Sequence, residues 1–273
     1  MSPAITTDQH LNEVLESFDP RVNPRLIEII RSAVTHLHAF VKETQLTREE
    51  WMAGVEFLTA TGHQCNDHRQ EFILLSDTLG VSMLVEMVNQ FASDDATEPT
   101  VLGPFYLPGA PRREMGDTIA SSGSPGQKVI ITGVVRAANG EPLGGAALDV
   151  WQVTPNGLYA VEDVTIEPMS YRGIFLTSND GRFDVRTTKP VDYQIPTDGP
   201  VGRMLDATGR TSWRPAHTHF KVSCPGYRTV ITHVFDATSP HLDSDAVFGV
   251  RDSLVVDFSS DITSFDFVLD LEV

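Results

Sequence analysis

Cysteine is scarce in this 273-residue chain, which has only Cys65 and Cys224. That excludes a disulfide scaffold and a cysteine-rich metal site, and it points to free, buried thiols in a reducing compartment, hence the cytoplasm. Basic residues are also few. Twenty Lys and Arg against 37 Asp and Glu leave a net charge of -17, which argues against nucleic acid and against anionic membrane surfaces as partners. The acidic groups are scattered (Asp94 and Asp95, Glu114, Asp243 and Asp245, Asp266, Asp270 and Glu272) and read mostly as solvated surface. No apolar run approaches membrane-spanning length. The stretch from Met1 to His10 lacks the basic region and apolar core of a secretory signal. Tyrosine is rare as well, with five residues, so each one in an informative place counts.

The chain is long enough for one large domain, or for a core domain with a smaller helical one. Up to about residue 92 its pattern is helical. Asn23-Pro24 is an N-cap followed by proline at the first helical position. The helix that follows, to about Thr44, carries Leu26, Ile29, Ile30, Val34, Leu37, Phe40 and Val41 at amphipathic spacing. Thr47-Arg-Glu-Glu50 fits a capping box and opens a second helix with Trp51, Val55 and Leu58 on one face. Two more helices are expected near Asp67 to Asp77 and Val81 to Ala92. Their methionine and aromatic stripes read as packing rather than as a cofactor box. The wide apolar arc of the 24–44 helix also suits a partner subunit.

Glycine, proline and small polar residues crowd the stretch from Ser93 to Gly126, which reads as a linker or long ordered loop. Within it Val101-Leu-Gly-Pro-Phe-Tyr106 is apolar enough to fold over something. From Lys128 the chain reads as β. Runs at 129–135, 147–153, 182–187, 217–222, 229–235, 254–258 and 265–271 are separated by turn signals such as Asn139-Gly140 and Pro225-Gly226. Short strands with turns between them predict a β-sandwich. The expected fold class is mainly β with an α-helical N-terminal segment, divided at 1–100 and 101–273. The loop from Lys189 to Trp213 is long for a compact domain, and such loops often carry function.

The chemistry concentrates in Ser212-Trp-Arg-Pro-Ala-His-Thr-His-Phe220. On a strand His217 and His219 point to one face, which places two imidazoles on one metal. His-x-His alone equally describes a polar strand face. Arg214 adds a permanent cation three residues upstream of His217, suited to an anionic substrate or to a salt bridge that ties the loop to the strand. A carboxylate beside the histidines would make a two-His-one-carboxylate site for Fe(II) or zinc, although the usual His-x-Asp/Glu start is absent. A non-catalytic β-sandwich binding module with a helical arm is a further alternative. Tyr159 follows the Asn156-Gly157 turn, and Tyr193 lies in the long loop upstream of the histidine strand.

Together with that strand, six ordered motifs carry a resemblance. They are Leu102-Gly-Pro-Phe105, Gly144-Gly-Ala-Ala-Leu-Asp-Val-Trp151, Gly157-Leu-Tyr159, Tyr171-Arg-Gly173, Tyr193 with Ile195-Pro196, and Arg214-Pro-Ala-His-Thr-His219. From about Asp67 onward the chain resembles the intradiol ring-cleaving dioxygenases. The resemblance implies a β-sandwich catalytic domain and a helical segment that forms a homodimer, with phospholipid possible at the dimer interface. It implies non-haem Fe(III) held by Tyr159, Tyr193, His217 and His219, with an aromatic diol or triol and O2 as substrates. It also implies that the diol rather than O2 is activated, with Tyr193 leaving the metal to take a proton and Arg214 stabilising negative charge on the substrate.

Glu71-Phe-Ile-Leu-Leu-Ser-Asp-Thr-Leu-Gly80 looks like the hydroxyquinol 1,2-dioxygenase branch. There Asp77 would accept a hydrogen bond from the third hydroxyl of hydroxyquinol, and a site built for a hydroxyl discriminates better than an apolar slot. Asp77 also reads as a solvated helix end. Catechol is the alternative substrate. Val101, Leu102, Gly103, Pro104 and Phe105 would form a lid, and with Leu74, Ile195 and Pro196 a flat slot for a ring. His233 stands where the catechol enzymes are expected to carry glutamine, and it reads either as a pocket residue or as a satisfied strand histidine.

Overall fold

The structure is a computed structural model; it describes residues 5–19, 21–89 and 95–272. Two compact units divide the chain, one up to Thr59 and one from Ala60 onward. Helix α1 (Thr7–Glu16) is not anticipated by the apolar pattern, yet Thr6 caps it in a reciprocal box with Gln9. Helix α2 (Pro24–Thr44) begins as its sequence requires, with the Asn23 side chain accepting the Leu26 N–H at 3.1 Å. The Lys42–Asp8 ion pair at 3.0 Å joins α2 to α1. Helix α3 (Arg48–Gln64) opens on the expected capping box, in which Thr47 and Glu50 bond each other's backbone N–H. The apolar stripe of α2 is not buried: Leu37 is 62% exposed and Phe40 49%.

In the second unit α4 (Glu71–Thr78) starts four residues later than the sequence suggests. The Asn66 side chain accepts the N–H groups of His68 and Arg69, and this turn competes with helix. Helix α5 (Val81–Asn89) follows; its expected end at Ala92 lies outside the described residues. Cys65 and Cys224 are free, as expected, but half-buried rather than buried. Among the described residues no helix is long and apolar enough to cross a membrane.

The sandwich forms as its alternation requires. In one sheet β1 (Lys128–Ala137) pairs antiparallel with β4 (Arg182–Thr188) and parallel with β10 (Ile262–Ser264) and β11 (Phe267–Leu269). The other sheet has the order β3-β2-β7-β8-β9, from Arg172–Leu176, Ala147–Trp151, His217–Ser223, Val230–Asp236 and Val255–Val256. Ile131, Val135, Phe183 and Phe267 from the first sheet meet Leu148, Phe220, Val222 and Val234 from the second in one core. β3 and β10 are absent from the sequence reading, and the runs at 254–258 and 265–271 shorten to two and three residues.

The long segment from Lys189 to Trp213 is ordered rather than an open loop. It holds β5 (Tyr193–Gln194) and α6 (Pro200–Ala207), and it ends in β6 (Trp213–Arg214), which pairs with β5. Pro200 pre-sets the first turn of α6. The N-terminal cap comes from far away, since the Glu71 carboxylate accepts the Val201 N–H at 3.3 Å. Phe220 is fully buried between Phe183 and Phe267. Phe220→Ala is expected to cost about 3–5 kcal/mol, read as a lower midpoint in chemical denaturation at unchanged slope.

Candidate metal centre and active site

β7 is buried on both faces. Phe220 and Val222 enter the core, so period-two alternation turns His217 and His219 to the opposite side. Register sets their neighbours: His219 stands between Trp151 on β2 and His233 on β8, and His217 faces Phe235. Trp151 stacks on His219 with ring centroids 4.6 Å apart. The β5–β6 ladder pairs Tyr193 directly with Arg214. Tyr159 follows a turn in which Gly157, at φ +81, leaves room for the Tyr193 side chain.

Four donor atoms converge. Tyr159 Oη lies 2.7 Å from His219 Nε2 and 3.1 Å from Tyr193 Oη. His217 Nε2 lies 3.1 Å from His219 Nε2. The Pro215 carbonyl is 2.6 Å from His217 Nδ1 and fixes the proton there, so the Nε2 lone pair points into the cluster. His219 Nδ1 has no partner among the described residues. Two imidazoles and two phenol oxygens thus meet where lone pairs outnumber protons, and a cation resolves the conflict. Spacings near 3 Å are the edges expected of a coordination polyhedron with bonds of about 2 Å. Hard phenol oxygens beside imidazole nitrogens suit a first-row transition metal.

Electrostatics agree with that fit. Burial, and next the Arg214 charge, push His217 far below its usual range; burial and the His217 charge do the same for His219. Both are therefore neutral and free to ligate. Burial raises the Tyr159 and Tyr193 phenols, with the Arg214 charge opposing it at both. A metal ion would reverse the effect of burial and hold them as phenolates.

Arg214 is 2% exposed. Burial opposes its charge, but the Asp245 carboxylate, 3.0 Å from Nε, raises its pKa above the usual value. The salt bridge expected as one alternative for Arg214 is therefore present, and so is the active-site position: Nη1 points to Tyr193 Oη and to His217 Nε2, each at 3.4 Å. Asp245, read from sequence as surface acidity, is buried. Nothing local marks it, because its partner is 31 residues away.

Asp77 is not a solvated helix end. It is 1% exposed, and neither carboxylate oxygen has a partner among the described residues. Burial pushes it up to about 6; the nearby Ser82 hydroxyl, which donates to Ser76 at 2.8 Å, and then the Arg214 charge work the other way, and Asp245 adds to the rise. Leu74, on the same helix, is buried with it. Val101 and Phe105 are buried, and Leu102 and Pro104 half-buried. Gly103, at φ +81, brings its backbone against His219, where an added Cβ would lie 3.6 Å from the ring. Phe105 packs on Tyr159 with centroids 5.0 Å apart. Phe105, Ile195 and Pro196 also line a cleft of about 520 Å³ with Leu158 and Val161.

His233 is fully buried against His217 and His219. Its Nδ1 bonds the Thr100 hydroxyl, while Nε2 has no partner among the described residues. A Nε2 or Nδ1 atom from each of His217, His219 and His233 lies within 4.8 Å of the others. Sequence reasoning missed Thr100, Asp245 and Arg172, whose Nη2 donates to the Phe105 carbonyl at 2.7 Å and pins the lid. Only Arg172 carried a signal, within Tyr171-Arg-Gly173.

Known proteins are similar to this chain over most of its length. A family profile described as "Dioxygenase" matches residues 101–271, and one described as "Catechol dioxygenase N terminus" matches 23–97. A 6-chlorohydroxyquinol 1,2-dioxygenase of Cupriavidus pinatubonensis is 46% identical over 96% of this chain and 97% of its own length. A hydroxyquinol 1,2-dioxygenase of a Rhizobium species is 48% identical over 86% of this chain and 80% of its own. The solved structure of hydroxyquinol 1,2-dioxygenase from Pseudomonas putida DLL-E4 matches with a TM-score of 0.86 at 46% identity, covering 97% of each chain. The chain belongs to the intradiol ring-cleavage dioxygenases, oxidoreductases that open aromatic diols with O2.

The Asp77 environment has a measurable consequence. Its folded pKa, near 6, exceeds the 3.8 of a free aspartate, so the folded state binds the extra proton between those values. Stability from this group is therefore full below pH 3.8 and is lost as pH rises through 6. In the metal-free protein Asp77→Asn should match wild type near pH 4 and exceed it by up to about 3 kcal/mol above pH 7. Thermal melts across that range check this, and a pH-independent difference would contradict it.

Proposed function

We propose that the protein is a hydroxyquinol 1,2-dioxygenase that uses non-haem Fe(III) held by Tyr159, Tyr193, His217 and His219. The observation that carries this reading is the convergence of those four donors beside a buried guanidinium. Those four residues would hold the iron, and the ferric ion would supply Lewis-acid activation that makes a bound diol reactive toward O2. The bond between the two oxygen-bearing carbons breaks, and both atoms of O2 enter the product, a hydroxymuconate that is the tautomer of maleylacetate.

The residues divide the remaining work. Tyr193 Oη takes a proton from the incoming diol. Arg214 Nη1 stabilises the negative charge that develops on the ring and its oxygens, in a site that excludes water. Leu74, Val101, Leu102, Gly103, Pro104, Phe105, Ile195, Pro196 and His233 shape the slot that holds the ring flat. Asp77 accepts a hydrogen bond from the third hydroxyl, which supplies the partner its carboxylate lacks. That unpartnered carboxylate favours hydroxyquinol over catechol, as do relatives at 46–48% identity that carry hydroxyquinol names. The geometry favours this reading over the two-His-one-carboxylate alternative, because among the described residues no carboxylate joins the cluster of His217, His219 and His233.

Two experiments test this. The iron-loaded protein should absorb visible light through tyrosinate-to-Fe(III) charge transfer; a colourless protein with full iron content would exclude the tyrosinate site. Wild type should turn over hydroxyquinol faster than catechol, and Asp77→Ala should shrink that ratio by about tenfold or more. Faster turnover of catechol would remove the role given to Asp77.

Residues 1–100 serve in this reading as a helical dimerisation domain and 101–273 as the catalytic domain, in the cytoplasm. The exposed Leu26, Ile29, Leu37 and Phe40 of α2 support a second copy, with phospholipid, as their cover. Light scattering should give twice the 30.0 kDa of one chain, and a monomer would rule the dimer out.

A further inference from the structure

The 245–249 turn is built around one carboxylate. Asp245 Oδ1 accepts Arg214 Nε–H at 3.0 Å and the Val247 N–H at 3.3 Å. Oδ2 accepts Arg214 Nη2–H at 3.3 Å and the Gly249 N–H at 2.9 Å. Four N–H groups fill the roughly four lone-pair sites that a carboxylate offers, so Asp245 cannot rotate. The turn keeps Phe248 at φ +59, a conformation unusual for a bulky residue. Gly249 has to be small: an added Cβ would lie 3.2 Å from Asp245 Oδ2 and 3.3 Å from Arg214 Nη2. The turn is tied to its surroundings as well. The Ala246 N–H donates to the Trp213 carbonyl at 3.0 Å, next to Arg214. Arg210 bridges the Ala246 carbonyl and the Thr78 carbonyl at the end of the helix that carries Asp77.

We propose that Asp245 is a positioning residue for ring cleavage: it grips the Arg214 guanidinium by Nε and Nη2 and leaves Nη1 alone facing Tyr193 Oη and the reacting diol. This rests on the proposed function. A guanidinium is planar, so fixing two of its nitrogens fixes the direction of the third. Nη1 stands 3.4 Å from Tyr193 Oη and from His217 Nε2, a spacing that tightens when substrate charge develops beside it. A pair serving stability alone has no need to hold one arm of the fork clear. Here the clear arm is the one aimed at the four-donor cluster.

A double-mutant cycle tests this on the iron-loaded protein with hydroxyquinol and O2. Asp245→Asn should lower kcat about 10- to 100-fold, with KM changed by less than about threefold, because a misdirected donor costs transition-state stabilisation. Arg214→Met should lower kcat at least as far. The double variant should be no slower than Arg214→Met, since Asp245 acts only through Arg214. The visible band should shift in the same direction in both single variants, reporting the lost Nη1 contact at Tyr193. In the metal-free protein Arg214→Met leaves Asp245 buried and unpaired, and adding Asp245→Asn should recover part of the lost melting temperature. Should Asp245→Asn fail to fold, Gly249→Ala displaces the pair with both charges present; it should lower kcat about 3- to 10-fold, and only while Arg214 is there.

Wild-type kcat in Asp245→Asn or Gly249→Ala overturns the proposal, and so do losses that multiply in the double variant. A wild type that turns over neither hydroxyquinol nor catechol overturns the proposed function and the role of Asp245 with it. A competent wild type beside an unimpaired Asp245→Asn overturns that role alone.

Discussion

Strand β7 is buried on both faces from His217 to Phe220, and the site follows from that. Phe220 and Val222 fill the space between the two sheets, which fixes the strand in rotation and in register. A slip of one residue would send the histidines into the apolar core and the phenylalanine into the site. With the register held, Trp151 from β2 and His233 from β8 become the side walls of the histidine pair. The outer face then needs a cover, supplied by the 101–105 lid, the β5–β6 ladder and the turn that carries Tyr159.

Burial also sets the charge states. Neutral imidazoles and reluctant phenols are costs of desolvation that a metal ion offsets, and a site so arranged is poorly satisfied without one. Arg214, whose guanidinium reaches two of the four donors, is kept charged by Asp245 rather than by water. Asp77 has no ion-pair partner among the described residues, and burial makes it titrate high. Buried polar groups left unsatisfied in a native fold call for an explanation, and the proposed function supplies a different one at each place: a cation at the four donors, a hydroxyl at Asp77.

Much of this was legible in advance because it is encoded locally. Caps announced α2 and α3, period-two runs announced the principal strands, and Tyr159, Tyr193, His217 and His219 sat in short motifs. The illegible parts depend on distant partners. Helix α6 was hidden in a proline- and glycine-rich stretch because the acceptor at its N-terminus is Glu71, more than a hundred residues away. α4 began late because Asn66 turned its side chain back on the backbone. Strands of two or three residues such as β5, β6 and β10 have no periodicity to read, and exist only because a neighbour offers a free edge.

The sequence by itself determined the fold class and the starts of α2 and α3, since propensity, capping and alternation act within a few residues. Only the tertiary structure decided that an apparently solvated Asp245 lies buried against Arg214, that Asp77 is desolvated and unpaired, and that Thr100 holds His233. Those are statements about which groups lose water and to whom. Loss of water depends on packing between segments far apart in the chain, which no local pattern records.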